Sequence, residues 1–354
     1  MHVPSWFKGF RQQSLLGIDI GTTGIKLVEL ARKGKQYELL SFAVVPYTNG
    51  QMIDPMLPEE EVVSTTLQEA VKIAGCQSRR GAIAVNSASV ISRVVEVPVD
   101  AADDEVEQSI RDQADQIIPY SLDDVILDYS ALDQEPRNGL QSMFLVAARR
   151  DQVDTQERLL LAAGLECRLI DVDTFAIGRS LQYSLAAQQL RPAEGLIMLL
   201  DIGAMRSVLY AFDGERVVYS REHDFGDHQL RQPPVTNPFE YEEYGESSSA
   251  ASGAMNEAER YQQLLGHQLE RALELFAEAQ PESLIGCLVL AGGGACQKGL
   301  TPALSKHLQL KVVQANPLAG VKRPGKLDAE LQQRAPSLMT ACGLAMRVGQ
   351  EWGS

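Results

Sequence analysis

Residues 15–30 read LLGIDIGTTGIKLVEL, two apolar runs on either side of a Gly-Thr-Thr-Gly segment, with Asp19 and Lys26 at the strand ends beside it. Leu15, Leu16 and Ile18 read as one strand and Ile25, Leu27, Val28 and Leu30 as its antiparallel partner, with a turn at Gly21–Gly24 that permits close backbone approach. Glycine and two threonines present N–H and hydroxyl groups without bulk, which suits anionic oxygens, and Lys26 adds a positive charge. A carboxylate such as Asp19 is what a hydrated magnesium ion uses, because that ion keeps most of its waters. Taken alone, the same pattern also describes an ordinary hairpin turn.

The chain's 354 residues, 45% of them hydrophobic, exceed what one small core organises, so two lobes are expected. Forty-seven acidic against 32 basic residues leave a formal charge of −15, which opposes binding along a nucleic-acid backbone. No basic cluster exceeds Arg79-Arg80 or the stretch Lys33–Lys35, so no nucleic-acid partner is expected. The five cysteines have no C-x-x-C spacing, which is reduced, cytosolic usage. The five histidines carry no metal signature; His223 and His228, bracketing Asp224 and Asp227, read as an exposed polar turn. No apolar run approaches the roughly 18 residues needed to span a bilayer, so any membrane role is peripheral. Residues 1–13 are an amphipathic N-terminal segment, with Trp6, Phe7 and Phe10 at helical spacing beside Lys8 and Arg11. That segment suits either anionic headgroups or capping of the first lobe.

A third strand at Tyr37–Val45, a helix at Glu59–Ala74 and a buried strand at Ala82–Val85 complete a first lobe over residues 14–89. A small α/β module is inserted at 90–164: a strand Val90–Val97, a helix Ala102–Ile118, strands Val125–Leu132 and Met143–Ala148, and a closing helix Gln152–Ala163. A second lobe, residues 165–228 and 257–348, opens with a strand at Cys167–Val172 and a helix at Thr174–Ala187. Within it, residues 195–219, GLIMLLDIGAMRSVLYAFDGERVVY, repeat the opening order of strand, D-I-G, turn, strand, glycine turn, strand. Asp201 lies 182 residues after Asp19, and duplication of one phosphate-binding hairpin is the simplest account. Residues 229–256, rich in Pro, Ser and acid, read as a flexible loop. A strong helix at Asn256–Ala279, a strand at Leu288–Ala291 feeding Gly292, Gly293 and Gly294, and a terminal helix Pro336–Val348 returning to the core follow. In that last helix Ala341 and Gly343 are small enough for close contact.

Two D-x-G hairpins and a later strand ending in a glycine triplet resemble the actin-like ATPase superfamily. The segments DQADQIIPYSLDDVILDY (112–129), CRLIDVDTFAIGRS (167–180), LAGGGA (290–295), Asn316-Pro317 and APSLMTACGLAMR (335–347) narrow the resemblance to the type IV pilus assembly protein PilM family. It covers roughly residues 14–226 and 285–348. It implies an α/β, actin-like (RNase H-like) two-lobe fold with an FtsA/PilM-type inserted subdomain. Gly21, Thr22, Thr23 and Lys26 would form the first phosphate loop and Asp201, Gly203 and Ser207 the second, while Asp19 and Asp201 would hold magnesium through water. Gly292, Gly293 and Gly294 would face base and ribose, and Asp171 or Asp173 would orient an attacking water; for Asp171, capping the following helix is an equal alternative.

The same resemblance implies ATP or ADP with magnesium as ligand and, as partner, the N-terminal tail of a PilN-like membrane protein, docked beside the inserted module. It also implies coupling to pilus motor ATPases, with the option of a homodimer, in a cytoplasmic protein peripheral to the inner membrane and serving twitching motility or a related secretion system. The chain departs from the pattern in two places. Residues 229–255 lack the helical periodicity of a cap subdomain, and Met205 and Arg206 replace small or hydroxylated residues of the second turn, where Arg206 either meets a phosphate or obstructs one. ATP binding with little or no turnover is therefore expected. The competing readings are an FtsA-like filament protein, which lacks its C-terminal amphipathic helix here, and a small-metabolite kinase, for which no base motif is evident.

Overall fold

The computed structural model describes residues 13–54, 58–132, 135–192, 194–232, 256–323 and 329–349. They belong to two units, Met1–Ile177 with Thr340–Ser354, and Gly178–Met339.

In the first unit, apolar runs separated by short turns fold as an antiparallel meander, β1 (Ser14–Gly21), β2 (Gly24–Lys33) and β3 (Gln36–Pro46). Helix α1 (Glu60–Ala74) buries Val63, Leu67, Ala70 and Val71 at helical spacing and ends at Gly75, whose left-handed backbone (φ 63°) only glycine adopts cheaply. Strand β4 (Arg80–Val85) then pairs parallel with β1. Next come β5 (Val90–Pro98), α2 (Asp103–Ile117), β6 (Val125–Ala131) and β7 (Leu140–Arg149), a separate antiparallel sheet in the order β5-β7-β6. Its own core includes Val95, Val97, Ile110, Ala114 and Leu145.

Helix α3 (Arg150–Ala162) reads in sequence as the end of that module, but Leu159 and Leu160 pack in the first sheet's core with Leu16, Ile18, Leu67 and Ile83. Strand β8 (Glu166–Val172), expected to open the second lobe, is instead the fifth strand of the first sheet, parallel to β4 with Ala84 opposite Asp171. The reason is apolar: Leu169 joins a cluster with Leu15, Ala82 and Ala176. The sheet order is β3-β2-β1-β4-β8. Helix α4 (Asp173–Gln188) carries the chain out of this unit after Ile177.

The second unit repeats the plan. Strands β9 (Leu196–Ile202), β10 (Ser207–Asp213) and β11 (Arg216–His223) form a meander, followed by α5 (Asp227–Arg231) and α6 (Glu257–Ala279). Asn256 and Glu259 cap α6 reciprocally, each side chain accepting the other's backbone N–H (2.9 and 3.1 Å), and Tyr261, Leu265, Leu269, Ala272 and Phe276 form its buried stripe. Then come β12 (Ile285–Ala291), a tight turn Gly293–Cys296, α7 (Leu300–Leu308) and β13 (Val312–Gln314), giving the order β11-β10-β9-β12-β13. Of the stretch 229–256 expected as loop, Gln229, Leu230 and Arg231 end α5, and 233–255 lie outside the described residues. Residues 1–12 of the amphipathic N-terminal segment also lie outside them.

The expected terminal helix is broken into α8 (Ala329–Arg334), a tight turn Ala335–Leu338 and α9 (Met339–Ala345). From Thr340 the chain is back in the first unit. A Cβ added at Gly17 in β1 would lie 1.9 Å from the Ala341 carbonyl oxygen, and one added at Gly343 would lie 1.8 Å from that of Ala176. The small residues read from the sequence thus let α9 press on β1 and on the start of α4. The Tyr37 hydroxyl donates to the Met346 carbonyl (2.9 Å) and ties the end of α9 to β3.

Candidate functional site

In the first hairpin, Gly21 pairs with Gly24 across the Thr22-Thr23 turn, and the register sets Asp19 opposite Lys26. The two side chains form an ion pair of 2.8 Å, each largely but not fully buried. The turn is tied back from outside: Tyr47 N–H donates to the Thr23 carbonyl (3.0 Å) and Ile53 N–H to that of Thr22 (2.8 Å). With those carbonyls engaged, the groups suited to a ligand are hydroxyls and N–H groups, the donor set an anion requires. Glycine is needed at Gly24, whereas Gly21 has more room. A Cβ at Gly24 would lie 2.3 Å from the Val45 carbonyl oxygen, and one at Gly21 would lie 3.4 Å from Lys26 Nζ. Below the turn, Tyr47 is 2% exposed and its hydroxyl has no hydrogen-bond partner among the described residues. Burial, with the charge of Asp19 added, pushes its pKa well above the ordinary value.

The second hairpin repeats the topology with different chemistry. Ile202 pairs with Ser207 around a four-residue turn, and the register sets Asp201 opposite Val208, so no lysine faces this carboxylate from the paired position. Ser207, expected in the phosphate loop, is fully buried and donates to the Phe225 carbonyl (2.8 Å). Arg206 pairs with Glu222 on β11 (2.9 Å), both side chains exposed on the strand surface. This turn too is tied back, by Asp227 N–H to the Gly203 carbonyl (2.8 Å) and His228 N–H to that of Ala204 (2.9 Å).

Asp201 and the glycine triplet meet within this unit. A Cβ at Gly292 (φ 84°) would lie 2.4 Å from Asp201 Oδ1, and one at Gly294 would lie 2.4 Å from Ile202 Cγ2 and 2.7 Å from the Tyr261 hydroxyl. Gly293 is exposed, and a Cβ there would meet no atom within 4 Å. Two of the three glycines are thus required by packing, and the middle one presents open backbone.

The two carboxylates assigned to water positioning are held in structural roles. Asp171 is buried, accepts its neighbour Val172's N–H (2.8 Å) and pairs with Arg347 after α9 (3.4 Å). Asp173 receives Ser87 N–H (3.0 Å), Thr174 N–H (2.6 Å) and the Thr174 hydroxyl (3.2 Å), all on Oδ1, so it caps α4 and pins the turn after β4. Burial raises its pKa against the opposing pull of these donors. Sequence reading missed Tyr47, Arg347 and the Phe225 carbonyl because each reaches its site through folding of a separate segment.

Two five-stranded sheets of one strand order, each opening with a hairpin that carries Asp-Ile-Gly where its first strand meets the turn, define an actin-like ATPase fold. The family model for the type IV pilus assembly protein PilM matches residues 17–349, and the chain belongs to that family. It is similar to a chain of the PilM-PilN type IV pilus biogenesis complex, at 25% identity and a TM-score of 0.68, over 94% of this chain and 98% of the other. More distant matches are the ethanolamine utilization protein EutJ from Carboxydothermus hydrogenoformans (13% identity, 94% and 89% coverage, TM-score 0.47) and the cytoplasmic domain of EpsL from the type II secretion system of Vibrio cholerae (14%, 95% and 99%, 0.41).

Proposed function

We propose that this chain is a nucleotide-binding scaffold of a type IV pilus or related secretion platform that docks the N-terminal tail of a PilN-like membrane protein. The observation that carries the reading is the end-to-end similarity to a chain of the PilM-PilN complex. The tail docks beside the β5-β7-β6 module, the small subdomain of the first unit, where Val94, Val99 and Tyr129 leave apolar side chains exposed. Among the described residues no helix is long and apolar enough to cross a membrane; in this reading the PilN-like partner supplies the attachment to the inner membrane, and the chain also couples to the pilus motor ATPases.

The first hairpin fits MgATP or MgADP on its donor set. Thr22, Thr23 and Lys26 would take phosphate oxygens and Asp19 would hold magnesium through its waters, beside the buried Tyr47 hydroxyl that has no partner among the described residues. Magnesium would supply charge neutralisation of the phosphates. In the second unit the reading assigns magnesium, through water, to Asp201 and base or ribose to the open backbone of Gly293, and drops Ser207, whose hydroxyl is spent on Phe225. With Asp171 and Asp173 engaged by Arg347, Ser87 and Thr174, binding with little turnover is the activity these residues support.

Calorimetric titration of the chain with a synthetic peptide of the cytoplasmic tail of its genomic neighbour of PilN type tests the scaffold. Saturable binding supports it, and no heat with any neighbouring tail overturns it. A separate titration with MgATP tests the nucleotide, and loss of that binding in Lys26→Ala is the expected result.

A further inference from the structure

The second unit carries a cluster that neither hairpin uses. On α6, His267 and Glu270 stand one turn apart, and His307 on α7 reaches the same carboxylate. His267 Nδ1 lies 3.2 Å from one Glu270 oxygen and His307 Nε2 lies 3.0 Å from the other. The three donor atoms lie within 4.8 Å of one another, and the imidazole rings meet edge to face at 5.6 Å. A tetrahedral ion with bonds of about 2.0–2.1 Å needs neighbouring donors roughly 3.3 Å apart; each imidazole already stands at about that distance from one Glu270 oxygen, and rotation of the exposed carboxylate and rings brings all three donors onto one ion.

The backbone makes room for this arrangement. Gly266 sits inside α6, where glycine is less favourable than alanine. A Cβ there would lie 2.9 Å from both Cδ2 and Nε2 of His307. The missing side chain admits the imidazole against the helix and sets its Nε2 beside Glu270. Two imidazoles and one carboxylate are the ligand set of zinc and its neighbours, not of magnesium or calcium, which demand more oxygens.

We propose that His267, Glu270 and His307 form a binding site for a divalent transition metal of the zinc class. The ion staples α6 to α7 within the second unit, and its fourth position is taken by water. In the metal-free chain, Glu270 stands in for the ion, one carboxylate oxygen against each imidazole.

The test uses the full chain without an affinity tag. Zn2+ is titrated calorimetrically and Co2+ by its visible absorption, which reports a low-coordinate nitrogen and oxygen site directly. One equivalent is expected. Loss of a group that merely orients a ligand costs about 10–100-fold in metal affinity, so His267→Ala and His307→Ala should each cost at least that much. His228→Ala should leave binding unchanged. Wild-type chain that binds neither ion at millimolar concentration, or a His267→Ala/His307→Ala double variant that binds like wild type, overturns the proposal. The wild-type Co2+ spectrum decides it even where a variant folds poorly.

Discussion

Glu29→Gln changes one atom in the middle of the first unit, and the structure says what it should cost. Glu29 is fully buried on β2, and each of its carboxylate oxygens serves one hydroxyl and one backbone N–H. Oε1 accepts from the Ser14 hydroxyl (2.8 Å) and Ser78 N–H (3.0 Å), and Oε2 from the Ser41 hydroxyl (2.9 Å) and Gln77 N–H (3.2 Å). In glutamine one of those oxygens becomes NH2. The facing serine can rotate to accept, but the facing backbone N–H cannot, so whichever way the amide turns one buried donor is orphaned at about 1–3 kcal/mol. The remaining bonds weaken as well, because charge-assisted hydrogen bonds are roughly twice as strong as neutral ones. The expected loss is about 2–4 kcal/mol, with a larger one for Glu29→Leu. Urea unfolding followed by circular dichroism gives the global figure, and amide exchange at Gln77 and Ser78 gives the local one. A Glu29→Gln loss within about 0.5 kcal/mol, the usual size for a surface change, or unchanged exchange at both amides, would refute the reasoning.

Three further outcomes follow from the same contacts. Asp173→Asn keeps the Oδ1 acceptor of the Ser87 and Thr174 backbone bonds and removes a buried charge. The raised pKa of Asp173 means that its contribution is full below the ordinary 3.8 and is lost as pH rises through the folded-state value, so the variant should match or exceed wild-type melting temperature at neutral pH; a large loss there would contradict the capping role. Ser207→Ala should cost about 1–3 kcal/mol by leaving the Phe225 carbonyl unpaired, with MgATP affinity unchanged by titration. Gly343→Leu should cost roughly 3 kcal/mol or more, since even its Cβ would sit 1.8 Å from the Ala176 carbonyl oxygen, and calorimetric melting reads that cost.

What was legible in the sequence was local. The hairpin at 15–30 announces itself through alternation and paired glycines, α1 and α6 through a stripe of period 3.6, and the duplication through the second D-I-G. Non-local pairing was not legible. Cys167–Val172 reads as a strand, but its place beside β4 depends on burial of Leu169 among residues far away in sequence. Strand β13, three residues long, has too short a pattern to detect. At the site, Asp19 and Lys26 face each other because a two-residue turn fixes their register, which spacing reveals. Asp171 meets Arg347 across 176 residues, and Ser207 meets the Phe225 carbonyl across a whole strand, which spacing does not. His267 and Glu270 carry a helical spacing, but their third member belongs to another helix, so the cluster is invisible until α6 and α7 pack.

The path of the chain has a consequence for how the molecule is made. The first unit is interrupted after Ile177 and resumes only at Thr340, so the α9 residues that press on β1 at Gly17 and on α4 at Ala176 leave the ribosome after the entire second unit. The half that is translated first is therefore the half that is finished last. A nascent chain stalled or cut before Thr340 leaves one flank of β1 bare and the Asp171 carboxylate without the arginine it pairs with in the finished molecule. Chains that end before Thr340 should therefore be cut by protease more readily than the full chain.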